Sequence, residues 1–402
     1  MNDRKIAGIV CEYNPFHTGH EYQIKKIREM GYERIVCVMS GNTVQRGEFA
    51  ITDKYARAEM ALKCGADLVL ELPYPYSSSG AEFFAAAAIK ILNSAGVGTL
   101  CFGSESADID ALTRAAEICE SEYFARAYKD IAGVGVGSAA AFFNTYEHVS
   151  GEKFSGGSND LLGVAYIRAI IKNGFDITPI AIKREGSAYT DGELSEVCGH
   201  PSALMIRNAI GNGLDKIEKG LPIASFETLK RSIENGNAPV DIRKIESAVL
   251  AFFRLADVDE LVNRNIAEGG VGGLIERLCK CSKVAKSYDE LVALVSGKTY
   301  TESRVRRVIL ASILGVTWED VRSTPAYSTV FAFNNEGREI LASLRKLQTE
   351  IAFVTKPADA EELSPEAKRQ STLSEKAESL FTLAKPSAAE GGEYKLKAPV
   401  II

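Results

Sequence analysis

His17 and His20, separated by Thr18 and Gly19, stand where an apolar run from Ile6 to Cys11 gives way to the chain's first helical pattern. Imidazole rings so placed donate N–H bonds. The first turn of a helix adds unpaired backbone N–H groups and a partial positive charge. Together these groups suit phosphate, above all the negative charge that builds on an α-phosphoryl group during displacement. Gly19 removes a side chain where a nucleotide must approach the backbone, and Pro15 fixes the turn after Asn14. The bland alternative is two helix-start histidines with no ligand. Their position after the first strand of an α/β pattern favours the phosphate reading. The chain has no Walker A sequence and no G-x-G-x-x-G behind a strand, so neither a P-loop nor a dinucleotide fold competes.

Other segments carry chemistry less specifically. Ser40 to Gly47 is a glycine-bounded polar loop that closes over a nucleotide, shapes a small-acid pocket, or is a plain surface turn; its Arg46 suits a carboxylate or a phosphate. Arg184 follows a strand-like run and can pair with phosphate by its planar fork. Asn159, with an amide donor and acceptor, suits a ribose or base edge. Lys298, Tyr300, Arg304 and Arg307 sit at the start of a helical pattern, with Arg304 and Arg307 on one face at spacing three. A basic stripe beside an aromatic ring fits an RNA backbone and an unstacked base, although a run of charge alone reads as a solvated helix face. Arg322, Arg338, Arg345 and Lys346 extend that surface.

The elements that must position these residues alternate in the first half. Strands are expected at Ile6–Cys11, Arg34–Met39, Asp67–Leu72, Thr99–Phe102 and Ile177–Ile182. Helices are expected at Gly19–Met30, from an Asp53 cap to Cys64 with Gly65 as the stop, and at Gly80–Ala95, Leu161–Lys172 and Ser202–Ile210. This alternation predicts a Rossmann-like parallel sheet with helices on both faces, and a ligand site beyond the carboxyl ends of the strands. From about 220 the pattern turns mainly helical, with Ile242–Leu255, Tyr288–Val295 and Glu302–Leu314. The expected division is a catalytic α/β domain over 1–220 and a mainly helical C-terminal domain over 221–402. Residues 356–392, rich in Ala, Glu, Ser, Lys and Pro, read as a solvated, partly helical excursion before a last strand at Lys397–Ile402.

The totals agree with a globular enzyme. The 402 residues are 46% hydrophobic and 25% charged, with a net charge of −6 that argues weakly against bulk nucleic-acid binding without excluding a local basic surface. No apolar run approaches the roughly 20 residues needed to cross a bilayer, and Met1–Lys5 lacks the core of a signal peptide, so a cytoplasmic protein is expected. Eight cysteines with no C-x-x-C pair and four histidines make a zinc site or a disulfide framework unexpected. Cys11, Cys37 and Cys101 read as buried thiols.

The longer matches are more specific than the four-residue motif. His17-Thr18-Gly19-His20 resembles the signature of the HIGH nucleotidyltransferase superfamily. Asn14 to His20, Met39 to Glu48, Arg57 to Leu62, Cys101 to Glu105, Ser158 to Gly163, Lys183 to Gly186, Ser202 to Arg207 and Tyr300 to Arg307 resemble the bacterial tRNA(Met) cytidine acetate ligases over almost the whole chain. The resemblance implies a HIGH-type fold and a reaction. ATP and acetate give acetyl-adenylate and pyrophosphate, and the acetyl group passes to N4 of the wobble cytidine of elongator tRNA(Met), forming N4-acetylcytidine. It implies catalytic roles for His17 and His20. It also implies ATP contacts from Gly8, Ile9, Val10, Cys11, Glu12, Tyr13, Asn14, Pro15, Phe16, His17, Thr18, Gly19, His20 and Glu21, and from Gly103, Asn159 and Arg184. With it, tRNA contact becomes the better reading of Lys298, Tyr300, Arg304 and Arg307. Magnesium is expected with ATP, although no carboxylate cage for the ion stands out.

The chain departs from the family's usual pattern at Phe49, Ser158, Thr190 and Leu204, all flanking positions. Two other readings stay open on the residues alone. One is a nucleotidyltransferase joining a nucleotide to a small phosphorylated metabolite. The other is a non-catalytic RNA-binding protein that keeps a nucleotide fold.

Overall fold

The computed structural model describes residues 5–132, 138–185, 200–269, 273–347, 349–392 and 397–402. The first strands are β1 (Ile6–Cys11), β2 (Arg34–Ser40), a small hairpin of β3 (Thr43–Val44) and β4 (Glu48–Phe49), then β5 (Leu68–Leu72), β6 (Thr99–Ser104) and β7 (Thr178–Lys183). Between them lie α1 (Thr18–Glu29), α2 (Lys54–Lys63), α3 (Ala81–Ser94), α4 (Ile109–Cys119), α5 (Glu122–Ala132), α6 (Ser138–Ser150) and α7 (Ser158–Asn173). The expected elements are present with small shifts at their ends. Asp53 caps α2 by accepting the backbone N–H groups of Tyr55 and Ala56.

The second half is helical over α8 (Ala203–Ile210), α9 (Ile223–Glu234), α10 (Glu246–Leu255), α11 (Val258–Asn263), α12 (Leu274–Ser282), α13 (Tyr288–Val295), α14 (Glu302–Leu314) and α15 (Trp318–Arg322). The chain then adds β8 (Tyr327–Phe333), α16 (Asn335–Leu344), β9 (Ala352–Val354), α17 (Pro357–Glu361), α18 (Pro365–Leu383) and β10 (Val400–Ile401).

Among the described residues the main sheet runs in the order β10-β8-β5-β2-β1-β6-β7, with β9 paired to β8. Strands β5, β2, β1, β6 and β7 are mutually parallel, and β8 is antiparallel to β5. From β1 the order grows toward β2 on one side and toward β6 on the other. The crevice between β1 and β6 is therefore the topological switch point.

Alternation along β2 explains the two cores: Ile35, Cys37 and Met39 enter the cluster on one face, Val36 and Val38 the cluster on the other. The first of these clusters also takes in α14 and α18, so the second half of the chain packs into the core of the first.

Two expectations need correction. Residues 356–392 are not a solvated excursion, because α18 buries Leu373, Ala377 and Phe381 in the core and brings Glu378 against buried Lys54. The final strand is shorter than expected, Val400–Ile401. Strand β8 was not anticipated. Its burial over Tyr327–Ala332 is that of an interior strand, apolar on both faces. The expected thiols hold: Cys11, Cys37 and Cys101 are free, Cys37 and Cys101 buried and Cys11 half-buried.

Candidate active site

The turn from β1 into α1 is built from side chains that serve its own backbone. His17 is the N-cap of α1, and its Nδ1 accepts the backbone N–H of Gly19 at 3.0 Å. Nδ1 of His20 accepts the backbone N–H of His17 at 3.2 Å. The rings stack with centroids 3.7 Å apart, and His20 also lies 4.8 Å from the Tyr13 ring. With both Nδ1 atoms accepting, each neutral ring carries its proton on Nε2 and keeps a donor for a ligand.

Burial lowers His17 from 6.5 to about 3, reinforced by the charges of Arg184, His200 and Arg207. Burial also lowers His20, aided by His17 and Arg184. The pair is therefore neutral at physiological pH. Its two Nε2 donors are fixed dipoles, and Arg184 is the formal charge beside them. A Cβ on Gly19 would lie 2.9 Å from Cε1 of His17 and 3.3 Å from the His200 side chain, so the glycine makes room for the histidine cap itself.

Around this turn lies a cavity of about 500 Å³ at the carboxyl ends of β1, β6 and β7. Of the expected nucleotide contacts, Val10, Cys11, Glu12, Tyr13, Asn14, His17, Gly19, His20, Gly103, Asn159 and Arg184 line it. Gly8, Ile9, Pro15, Phe16, Thr18 and Glu21 are not among the lining residues. Ile9 and Phe16 are core residues, and a Cβ on Gly8 would lie 2.8 Å from Leu92 and Val97. Gly8 is thus a glycine because α3 packs directly on β1, and the expected unbroken contact stretch narrows to its inward-facing members.

The strand-end turns are held by a buried hydrogen-bond frame. Arg57 is 0% exposed and donates to the carbonyls of Glu12 (2.6 Å), Ser40 (3.1 Å), Gly41 and Thr52 (3.2 Å). Arg207 donates to the Asn14 carbonyl at 2.7 Å, and Ser225 Oγ to that of Phe16 at 2.6 Å. Asn14 Oδ1 accepts the Ile51 N–H at 2.7 Å. Gln45 of the β3–β4 hairpin donates its N–H to Glu12 Oε1 at 2.9 Å, which places Gln45 and exposed Arg46 in the cavity wall.

The first turn of α7 is closed by two carboxylates. Glu105 accepts the N–H groups of Asn159 (3.1 Å) and Asp160 (3.0 Å) and also the Asn159 side-chain amide. Buried Asp160 accepts from Ser104 Oγ and from the N–H groups of Glu105 (3.1 Å), Ser106 (3.1 Å) and Gly157 (3.2 Å). Glu105 thereby orients Asn159, and Asp160 ties the first turn of α7 to the strand end at Ser104. Arg184 lies over Gly103, where a Cβ would stand 3.4 Å from its Cγ.

Glu105, Asp160, Arg57 and His200 were missed as site-building residues. His200 to Ala203, which lead into α8, also line the cavity. The motif segments around Glu105, Asp160, Arg57 and Ser202 carried the signal, but single residues within them did not.

The proposed RNA-facing group lies elsewhere and is partly an internal structure. Lys298 is exposed. Tyr300 is only 6% exposed, with the Arg304 guanidinium over its ring at 5.3 Å, so it offers no platform to a base; that expectation is corrected by burial. Arg304 donates to the Glu268 carbonyl at 2.8 and 3.1 Å, and Arg307 pairs with the Glu268 carboxylate at 2.6 Å. Phe49 is buried edge-on to Phe381, Ser158 lines the cavity, Leu204 is half-buried on α8, and Thr190 lies outside the described residues. Among the described residues no group of three or more His, Cys, Asp and Glu side chains can hold a metal ion, and no helix is long and apolar enough to cross a membrane.

The comparisons with known proteins agree with this geometry. The family model described as HIGH Nucleotidyl Transferase matches residues 4–395. The tRNA(Met) cytidine acetate ligase of Thermoanaerobacter sp. (strain X514) is 35% identical over 374 residues, 89% of this chain and 90% of the relative. That of Acetivibrio thermocellus is 31% identical over 397 residues, 94% of this chain and 95% of the relative. Crystal structures of Thermotoga maritima TmcAL, one bound with alpha-thio ATP and one apo, superpose with TM-scores of 0.88 and 0.90 at 32% identity and cover 99% of both chains. The chain therefore belongs to the HIGH nucleotidyl transferase family and, within it, to the tRNA(Met) cytidine acetate ligases.

Proposed function

We propose that this chain activates acetate with ATP and transfers the acetyl group to N4 of the wobble cytidine of elongator tRNA(Met). The observation that carries the reading is the neutral, stacked pair of His17 and His20, both capping α1 through Nδ1, in the wall of a switch-point cavity of about 500 Å³. A carboxylate oxygen of acetate attacks the α-phosphorus; the new P–O bond forms as the bond to the β-phosphate oxygen breaks, and pyrophosphate leaves with the electron pair. The Nε2 donors of His17 and His20 stabilise the charge gathered on the α-phosphoryl oxygens, and Arg184 compensates charge on the phosphate chain. Asn159, oriented by Glu105, is assigned to the nucleoside. In the second step the cytidine amine attacks the acetyl carbon, AMP leaves with the electron pair, and the amine loses its proton to solvent. Holding both reactants in one cavity supplies much of the rate.

Magnesium, expected with ATP, would enter with the triphosphate as its counter-ion. The tRNA surface is assigned to exposed Lys298, ahead of α14, and to half-buried Arg304 in its first turn, and the protein to the cytoplasm, where its tRNA substrate is. Incubation with ATP, acetate and bulk tRNA, followed by mass spectrometry of nucleosides, should yield acetylated cytidine. Pyrophosphate release that depends on a phosphorylated metabolite and ignores acetate would overturn the reading. So would tRNA binding with no acetate-dependent turnover.

A further inference from the structure

Helix α14 reaches the wall of the cavity through one half-buried ion pair. Arg307 donates Nε to Glu268 Oε1 at 2.8 Å and Nη2 to Oε2 at 2.6 Å, a planar two-bond pair whose side chains are 14% and 13% exposed. Each partner then holds one side of the cavity. Glu268 Oε1 also accepts the N–H of Gly80 at 3.0 Å. Gly80 is the N-cap of α3, so the carboxylate supplied from a distant segment holds the residue that opens the helix and faces its positive end. Ala81 and Phe84, in the first turn of α3, line the cavity. On the other side Arg307 Nη1 donates to the Gln45 carbonyl at 3.3 Å. Gln45 and Arg46 line the cavity from the β3–β4 hairpin, and Gln45 is the residue whose N–H orients Glu12.

Two further features tie the hairpin to α14, and a third ties the Glu268 turn to it. Gly47 has φ +74, and a Cβ there would fall 2.4 Å from the Arg307 nitrogen, so the turn of the hairpin lies directly on the helix backbone. Arg306 pairs with Glu48 at 2.9 Å. Glu268 itself has φ 60 in the left-handed region, and Arg304 holds its carbonyl with two donors, so the carboxylate is presented from a fixed turn.

We propose that Arg307 and Glu268 are positioning residues for the adenylation half-reaction: their pair sets the distance between the hairpin carrying Gln45 and Arg46 and the first turn of α3, and so sets the width of the cavity where ATP and the acid must meet. This assignment rests on the acetate-activating reading above, and it moves Arg307 from tRNA contact to ATP-site geometry. A displacement of about 1 Å remote from the reacting atoms is enough to cost up to about a hundredfold in rate.

The test is acetate-dependent ATP–pyrophosphate exchange measured without tRNA, alongside ATP affinity by calorimetry. The variants are Arg307→Met, Arg307→Lys and Glu268→Gln, assayed well below their melting temperatures and scaled to folded protein. Arg307→Met should lower exchange by about ten- to a hundredfold, with kcat and the KM for ATP both affected. Arg307→Lys should recover part of the loss, since one ammonium can meet the carboxylate but cannot also span to Gln45. Glu268→Gln keeps an oxygen for Gly80 and for Arg307 Nε but loses the charge and the acceptor for Nη2, so it should fold even if Arg307→Met does not, and it should show the same pattern more weakly. Exchange per folded molecule unchanged in Arg307→Lys and Glu268→Gln would overturn the proposal, whether or not tRNA binding weakens. If the wild type shows no acetate-dependent exchange, the reaction reading fails, and calorimetry then decides the positioning role: ATP affinity about tenfold weaker in the variants supports it, and unchanged affinity overturns it.

Discussion

The backbone N–H of His17 is capped by Nδ1 of His20, while Nδ1 of His17 caps Gly19 two residues on, so each imidazole is oriented by the helix it serves. The reciprocal arrangement leaves both Nε2 donors unspent by the fold, stacked 3.7 Å apart between ring centroids. It explains why two histidines at this spacing act as one unit. Removing either ring changes both the cap and the ligand donor.

His20→Ala should lower adenylate formation by roughly two to three orders of magnitude, the scale for one preorganised donor to a developing oxyanion. Its stability cost should be only about 1 kcal/mol, the scale of a lost helix cap. Pyrophosphate exchange and urea denaturation measured on one preparation check both values. A variant that unfolds outright, or one with near-wild-type exchange, contradicts the assignment.

The depressed basicity of His17 predicts a pH dependence of stability. The unfolded chain takes up a proton at this residue near pH 6.5, whereas burial holds the folded value near 3. Between these limits the unfolded state binds more protons, so stability is fully present above about pH 6.5 and declines as pH falls toward 3. Melting temperatures at pH 7.5 and pH 5 should therefore differ more for the wild type than for His17→Gln. An equal shift in both proteins would place the acid sensitivity elsewhere.

Arg57 is the structural centre of the strand ends. Its guanidinium meets carbonyls from the turns after β1 and β2 and from the approach to α2, all away from solvent. Arg57→Met leaves these four acceptors dry at about 1–3 kcal/mol each, so the loss should be at least about 4 kcal/mol. Arg57→Lys should rescue little, because a single ammonium cannot reach turns on opposite sides of the helix start. Denaturant midpoints on the three proteins check this.

Local signals were legible because each element obeyed a local rule. The Asp53 cap, the apolar run of β1 and the glycine stops were visible as residues, and the same rules put the His17–His20 turn at a strand end. What escaped depends on partners far along the chain. Glu105 looks like an ordinary surface acid until α7 presents its first N–H groups to it, and Asp160 until the loop after β6 presents the N–H of Ser106. Arg57 reads as one more charge on a helix, and only the folded chain shows it buried. Residues 365–383 read as solvated because their composition is polar on average, yet one face carries Leu373, Ala377 and Phe381 into the core. Tyr300 and Arg307 looked available for RNA because the sequence does not reveal Glu268 waiting 39 residues upstream of Arg307.

That last point separates two roles along one short segment. Tyr300 is buried beneath Arg304, so Tyr300→Ala should cost about 3–5 kcal/mol of stability as a large core truncation, whereas Tyr300→Phe should leave tRNA affinity unchanged. Lys298 is exposed, and Lys298→Ala should weaken tRNA binding without touching stability or tRNA-free pyrophosphate exchange. Arg304→Ala should weaken tRNA binding too, and the slope of log affinity against log salt should fall by about one unit, the signature of one lost phosphate contact. Filter binding across a salt series distinguishes these outcomes. If neither Lys298→Ala nor Arg304→Ala changes affinity or slope, the start of α14 is a brace for the hairpin, and the RNA surface must be sought on another face.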